Sequence, residues 1–78
     1  MKIETKFKLD DYICPISYDK KTKKWFVEPY FLDLTVKDIL ICKSGIYYTT
    51  EYKLFAEKDC FKTEMKAQAE CNKRNKGE

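Results

Sequence analysis

Histidine is absent from these 78 residues, and glycine and proline occur only twice each. Without histidine the usual neutral-pH proton carrier is missing, so acid–base catalysis would rest on a carboxylate or lysine tuned by burial. With two glycines there is no Gly-rich loop to wrap backbone amides around a phosphate. Cysteine occurs four times, as Cys14, Cys42, Cys60 and Cys71, but never as Cys-x-x-Cys. A zinc site would therefore need one thiolate from each of four separate elements. No stretch approaches the ~18 apolar residues that a membrane span needs. Met1-Lys2-Ile3-Glu4-Thr5-Lys6 carries no apolar run of the kind a secretory leader has. The expected setting is a reducing cytoplasm, with free thiols, no membrane association and no cofactor.

Aromatic residues and charge are plentiful. Six Tyr, five Phe and one Trp make 15% of the chain. Each such ring removes on the order of 150–250 Å² from water when buried, so a small core can stand without metal or disulfide. Sixteen basic and thirteen acidic residues leave a formal net charge of +3. That mild excess does not by itself point to nucleic acid.

Read along the chain, the pattern is one of short strands and turns. Lys6-Phe7-Lys8-Leu9 alternates like a strand or an extended lead-in, and Asp10-Asp11 signals a turn. Tyr12–Tyr18 is rich in β-formers, but Pro15 lacks a ladder donor, which predicts an edge strand or a bulge. The charged run 19–24 then turns into Trp25-Phe26-Val27, which predicts a hairpin. Residues 30–42 read as a bent strand, or as a loop followed by a strand from about Leu34. Lys43-Ser44-Gly45 is a turn into Ile46–Tyr52, the clearest strand, and pairing across that turn is the firmest topological expectation. Lys58-Asp59-Cys60-Phe61 reads as a turn. Thr63 is a candidate N-cap, followed by a helix whose Ala67 and Cys71 share one stripe of small residues. The expected class is mainly β (α+β): a small open barrel or twisted antiparallel sheet with one C-terminal helix. Its single domain would cover 1–72, with the helix at about 63–74 and a frayed basic tail over 73–78.

No residue set presents itself as catalytic. The carboxylate pairs Asp10/Asp11 and Glu57/Asp59 fall in turns, where acidic side chains bond their own backbone. Two binding patterns compete. Lys20, Lys21, Lys23 and Lys24 cluster beside Trp25, a cationic hairpin with a ring that could stack on a base or nucleotide. Alternatively, adjacent rings along a strand must point to opposite faces, so Trp25/Phe26, Tyr30/Phe31 and Tyr47/Tyr48 cannot all be buried by one sheet face. That makes Trp25, Phe26, Tyr30, Tyr47 and Tyr48 the candidate partner-binding residues, because exposed rings are common anchors of protein interfaces. Unpaired strand edges leave a homodimer open as well.

Phe7-Lys8-Leu9-Asp10-Asp11-Tyr12-Ile13 is similar to the F-x-I-G-D-x-V opening of small SH3-like barrels. Val36-Lys37-Asp38-Ile39-Leu40-Ile41, Gly45-Ile46-Tyr47-Tyr48, Phe55–Thr63 and Ala67-Gln68-Ala69-Glu70-Cys71 resemble short uncharacterised proteins of bacterial phages, prophages and mobile elements. Those end in E-x-D-x-F-x-T-x-E-E-A-x-A. Here Asp10 replaces the opening Gly and Lys66 the second Glu of the helix start. The resemblance carries no catalytic residue. It implies a barrel with a C-terminal helix and an accessory role in the host cytoplasm, where such proteins often inhibit or redirect a host protein such as a defence component. The expectation is a non-enzymatic module that binds a host protein, with nucleic acid or nucleotide as the alternative partner.

Overall fold

Six short strands and one helix make up the protein in a computed structural model that describes residues 4–29 and 32–77. The strands are β1 (Cys14–Asp19), β2 (Lys24–Val27), β3 (Asp38–Cys42), β4 (Gly45–Thr49), β5 (Leu54–Ala56) and β6 (Cys60–Phe61). A 3-10 turn, Glu57–Asp59, separates the last two, and helix α1 covers Glu64–Lys76. All pairings are antiparallel, in two sheets of order β2-β1-β6 and β3-β4-β5. The mainly-β class with a C-terminal helix is as expected, realised as two ladders folded onto a shared core.

The β1–β2 hairpin closes at the Asp19–Lys24 pair. Asp19 organises its turn: its carbonyl accepts from Lys23 N at 2.7 Å and its carboxylate from Lys21 N at 2.9 Å. Lys23 takes the left-handed φ of 58° that the turn needs. Pro15 is not at an edge, one of the two placements its missing donor suggested, because β1 is the central strand. The sheet tolerates it because its carbonyl, and hence its missing N–H, faces the side where β2 ends. Glu28 N donates to Pro15 O at 3.0 Å, just past the last residue of β2.

The β3–β4 hairpin forms as the turn chemistry predicts, with Cys42 paired to Gly45 across Lys43-Ser44 and Gly45 at φ 137°. At the other end Lys37 N donates to Thr49 O at 2.7 Å while Asp38 is registered with the same Thr49. Two residues facing one make a β-bulge, so β3 starts later than the expected Leu34. Leu34 and Val36 instead run beside the N-terminal turn, with Ile13 N bonded to Leu34 O and Asp10 N to Val36 O. Residues 6–9 bend and turn there without forming a strand. Asp10 adopts φ 72°, the conformation a Gly would supply and one that Asp tolerates better than most residues.

Between the sheets lies the main core of Phe7, Ile13, Leu34, Val36, Tyr48, Phe55 and Cys60. Tyr48 is fully buried at its centre, edge-on to Phe7 with ring centroids 5.4 Å apart. Its hydroxyl donates to Glu57 Oε2 and accepts from Phe7 N at 3.1 Å, so the one polar atom of the ring is satisfied twice. Glu57 Oε2 also accepts from Lys6 N at 2.8 Å. The carboxylate read from sequence as a turn residue therefore ties the N-terminal segment to the core.

Helix α1 begins as expected, with Thr63 Oγ1 accepting from Lys66 N at 3.1 Å. Thirteen residues make a marginal helix in isolation, so docking must hold it. Ala67 and Cys71 are completely buried against Ile16, with Cys14, Trp25, Val27 and Phe61 around them. The small stripe lets the helix lie close on the sheet, while Met65 on another stripe is 83% exposed. Residues 73–76, expected as a frayed tail, belong to the helix. The turn expected at 58–61 is the end of the 3-10 turn followed by β6, which pairs with β1.

Candidate binding site

The two sheets treat their exposed surfaces differently. In β2-β1-β6 the register puts Cys14, Ile16, Tyr18, Trp25, Val27 and Phe61 on one face, and α1 covers that face. The free edge of β2 is closed as well. Asn75 Oδ1 accepts from Trp25 N at 2.7 Å and Asn75 Nδ2 donates to Trp25 O at 3.1 Å, so one side-chain amide stands in for the missing neighbouring strand. Arg74 lies over the Trp25 ring at 4.4 Å and is held there by ion pairs to Asp59 at 2.9 Å and Glu70 at 2.8 Å. The Arg74 bond keeps the Glu70 carboxyl below the usual carboxylate range.

The sheet β3-β4-β5 has no such cover among the described residues. Ile39, Tyr48 and Phe55 face the core, so Leu40, Tyr47 and Ala56 form a row on the outer face, with Thr49 and Leu54 beside it. Leu40 is 42% and Leu54 48% exposed on this face; Ile41, 54% exposed, shares the inner face of Ile39 and Ile46 but lies at the strand edge beyond the core. Tyr47 lies half-buried on this face, its hydroxyl 2.8 Å from Ser44 Oγ. Among the described residues the outer edge of β3 is open too. In a hairpin closed by the Cys42–Gly45 pair, Leu40 and Asp38 bond to β4, and the amides and carbonyls of Ile39 and Ile41 point away from it.

The residues proposed from sequence are therefore dispersed. Tyr47 lies on the open face. Tyr48 does not, because strand alternation sends it into the core, where it offers a partner nothing. Trp25 points under α1 with Arg74 on its ring. Phe26 emerges partly exposed on the opposite face of its sheet, on the side where Glu28 meets Lys53 Nζ at 3.0 Å. Tyr30 lies outside the described residues. Leu40, Ile41 and Leu54 were missed because the sequence argument counted rings; the hairpin register, once anchored at Lys43-Ser44, would have placed Leu40 across from Tyr47.

The lysine cluster acquires a neighbour. The Asn75–Trp25 clip, between residues 50 apart in sequence, sets the C-terminal end of α1 beside the β1–β2 hairpin. Lys73 and Lys76 lie in the helix turn so clipped to β2, the strand that follows the turn carrying Lys20, Lys21, Lys23 and Lys24, and none of the six is ion-paired among the described residues. Tyr18, half-exposed, packs against Trp25 with ring centroids 5.5 Å apart and planes tilted by 60°, and is the more exposed of the two rings.

All four cysteines are free thiols. Burial pushes Cys60 up to about 12, with Asp59 adding to the shift, so this thiol stays protonated at neutral pH. Among the described residues no three His, Cys, Asp or Glu side chains gather closely enough to hold a metal, and no helix is long and apolar enough to cross a membrane. A cleft between Tyr12, Cys14, Val27, Glu28 and Glu64 offers about 30 Å³, room for a single water. No known family model, curated protein or solved structure matches this chain.

Proposed function

We propose that this chain is a non-enzymatic protein-binding module whose contact surface is the outer face and free edge of β3-β4-β5. The carrying observation is the contrast between the sheets. One has its face covered by α1 and its β2 edge clipped by Asn75, whereas the other, among the described residues, leaves Leu40 and Leu54 exposed and Tyr47 half-exposed on its outer face, with Ile41 at an edge where two backbone positions are unpaired. Apolar surface beside an open edge suits β-augmentation, in which a partner strand supplies main-chain hydrogen bonds and the side chains supply specificity. The phage-protein resemblance supplies the setting: an accessory protein in the host cytoplasm that inhibits or redirects a host protein, a defence component among the candidates.

A second reading has its own observation. Asn75 clips the helix turn that carries Lys73 and Lys76 to β2, next to the turn that carries Lys20, Lys21, Lys23 and Lys24, and lysines so grouped would suit a phosphate backbone. Arg74 on the Trp25 ring disfavours base stacking there, leaving Tyr18 for that role.

Affinity capture from a bacterial lysate, with and without nuclease, separates the two. Protein binding predicts retained partners that survive nuclease, disappear with the double substitution L40K/L54K, and persist with K20E/K24E. The nucleic-acid reading predicts gel retardation of RNA or single-stranded DNA at low salt that K20E/K24E abolishes and L40K/L54K leaves intact. Retention unaffected by L40K/L54K would remove the first reading.

A further inference from the structure

We infer that the β3 edge pairs with the β3 edge of a second copy about a two-fold axis at Leu40, joining two three-stranded ladders into one six-stranded antiparallel sheet. The edge is self-complementary. It is bounded on one side by the bulge at Lys37-Asp38 and on the other by the Lys43-Ser44 turn, which leaves Ile39, Leu40 and Ile41 between them. Ile39 and Ile41 carry the outward amides and carbonyls, one on each side of Leu40. An antiparallel copy in which Ile39 meets the second copy's Ile41, and Ile41 its Ile39, satisfies all four donors and acceptors of the pair of strands. Leu40 then meets its own counterpart in the closely spaced, non-hydrogen-bonded position, and both leucines leave water together.

Charge agrees with this register. β3 begins with Asp38 and is followed by Lys43, and neither is ion-paired among the described residues. Antiparallel pairing places Asp38 of each copy across from Cys42 and next to Lys43 of the other, at both ends by symmetry. Lys37, which would otherwise approach that lysine, already has Asp33 at 3.7 Å. The edge of β2, by contrast, is closed internally with Asn75. On the outer face the row Leu40-Tyr47-Ala56 would continue into its symmetry copy, so the surface proposed above for a partner would be a composite of two chains. That last consequence rests on the protein-binding reading; the pairing itself does not.

Sedimentation from about 10 μM to about 1 mM tests it, a range that spans weak edge-to-edge association. The wild-type chain should move from monomer to dimer, never beyond. L40K sets two like charges face to face at the axis and should leave a monomer throughout. I41P removes an outward donor without touching the β3–β4 ladder and should do the same, while M65K on the helix should dimerise normally. Circular dichroism confirms that each variant is folded. In a C42S background, L40C should cross-link to a dimer on mild oxidation, since Cα atoms about 4.5 Å apart at such a pair suit a disulfide; I41C should not. A monomer at every concentration, a dimer that survives both L40K and I41P, or equal cross-linking by L40C and I41C overturns the inference. A dimer that captures no host protein would instead remove the protein-binding reading and leave the pairing intact.

Discussion

The sheets β2-β1-β6 and β3-β4-β5 are both three-stranded and antiparallel, yet the first has a covered face and a clipped β2 edge, and among the described residues the second has neither. The closure of the first comes from one element, α1, in two ways. The small side chains Ala67 and Cys71 bring the helix close to the face, and Asn75 near its end saturates the edge. Among the described residues, nothing covers the outer side of the second sheet. A short chain with one helix can cover one sheet face, and the proposed contact surface rests on the uncovered one.

The largest effects should come from the core that both sheets share. Tyr48→Ala removes a wholly buried ring, a loss of about 3–5 kcal/mol. Chains of this size have only on the order of 5 kcal/mol in total, so urea denaturation should find it largely unfolded. Tyr48→Phe keeps the ring but strips Glu57 and Phe7 N of their partner, and should cost about 1–3 kcal/mol. If Tyr48→Ala were tolerated, the sheets would not depend on a common centre.

Alkaline pH probes the same core. Burial, with the Glu57 bond adding to it, pushes Tyr48 from 10.0 up to about 12, and burial pushes Cys60 from 9.0 up to about 12. Both groups ionise more readily when unfolded. Their contribution is complete below pH 9 and is lost as pH rises toward 12, at no more than about 1.4 kcal/mol per pH unit for each group. Chemical denaturation from pH 8 to 11.5 should show that decline, with Cys60→Ala flattening its first part.

Closure of the first sheet is tested next. Ala67→Leu forces bulk between α1 and β1 and should cost about 1–3 kcal/mol. Asn75→Ala breaks both bonds to Trp25 and should cost about 1–2 kcal/mol, with accelerated hydrogen exchange at the Trp25 amide as its specific signature. The smallest effect belongs to the exposed pair Lys37–Asp33, where Lys37→Ala should change stability by less than about 0.5 kcal/mol.

Much of this plan was legible in the sequence, and the exceptions share a cause. The hairpin around Lys43-Ser44-Gly45 and the Thr63 cap were readable because local chemistry decides them. β5 and β6 were not, since three and two residues are too short for periodicity to register and a 3-10 turn lies between them. Pro15 misled because its missing donor matters only on the side facing β2, and which strand lies there is a tertiary fact. Glu57 and Asn75 read as ordinary turn and tail residues. Their roles depend on partners 51 and 50 residues away. The candidate surface was half visible: ring alternation correctly separates Tyr47 from Tyr48, but the aliphatic share of the open face emerges only once strand register is known.

Amide hydrogen exchange measured by NMR, at a dilution where the chain is monomeric, tests the contrast between the sheets most directly. The account predicts slow exchange at Trp25, whose edge is clipped, and fast exchange at Ile39 and Ile41, whose edge is open. Protected Ile39 and Ile41 amides in the monomer, together with a freely exchanging Trp25, would contradict it.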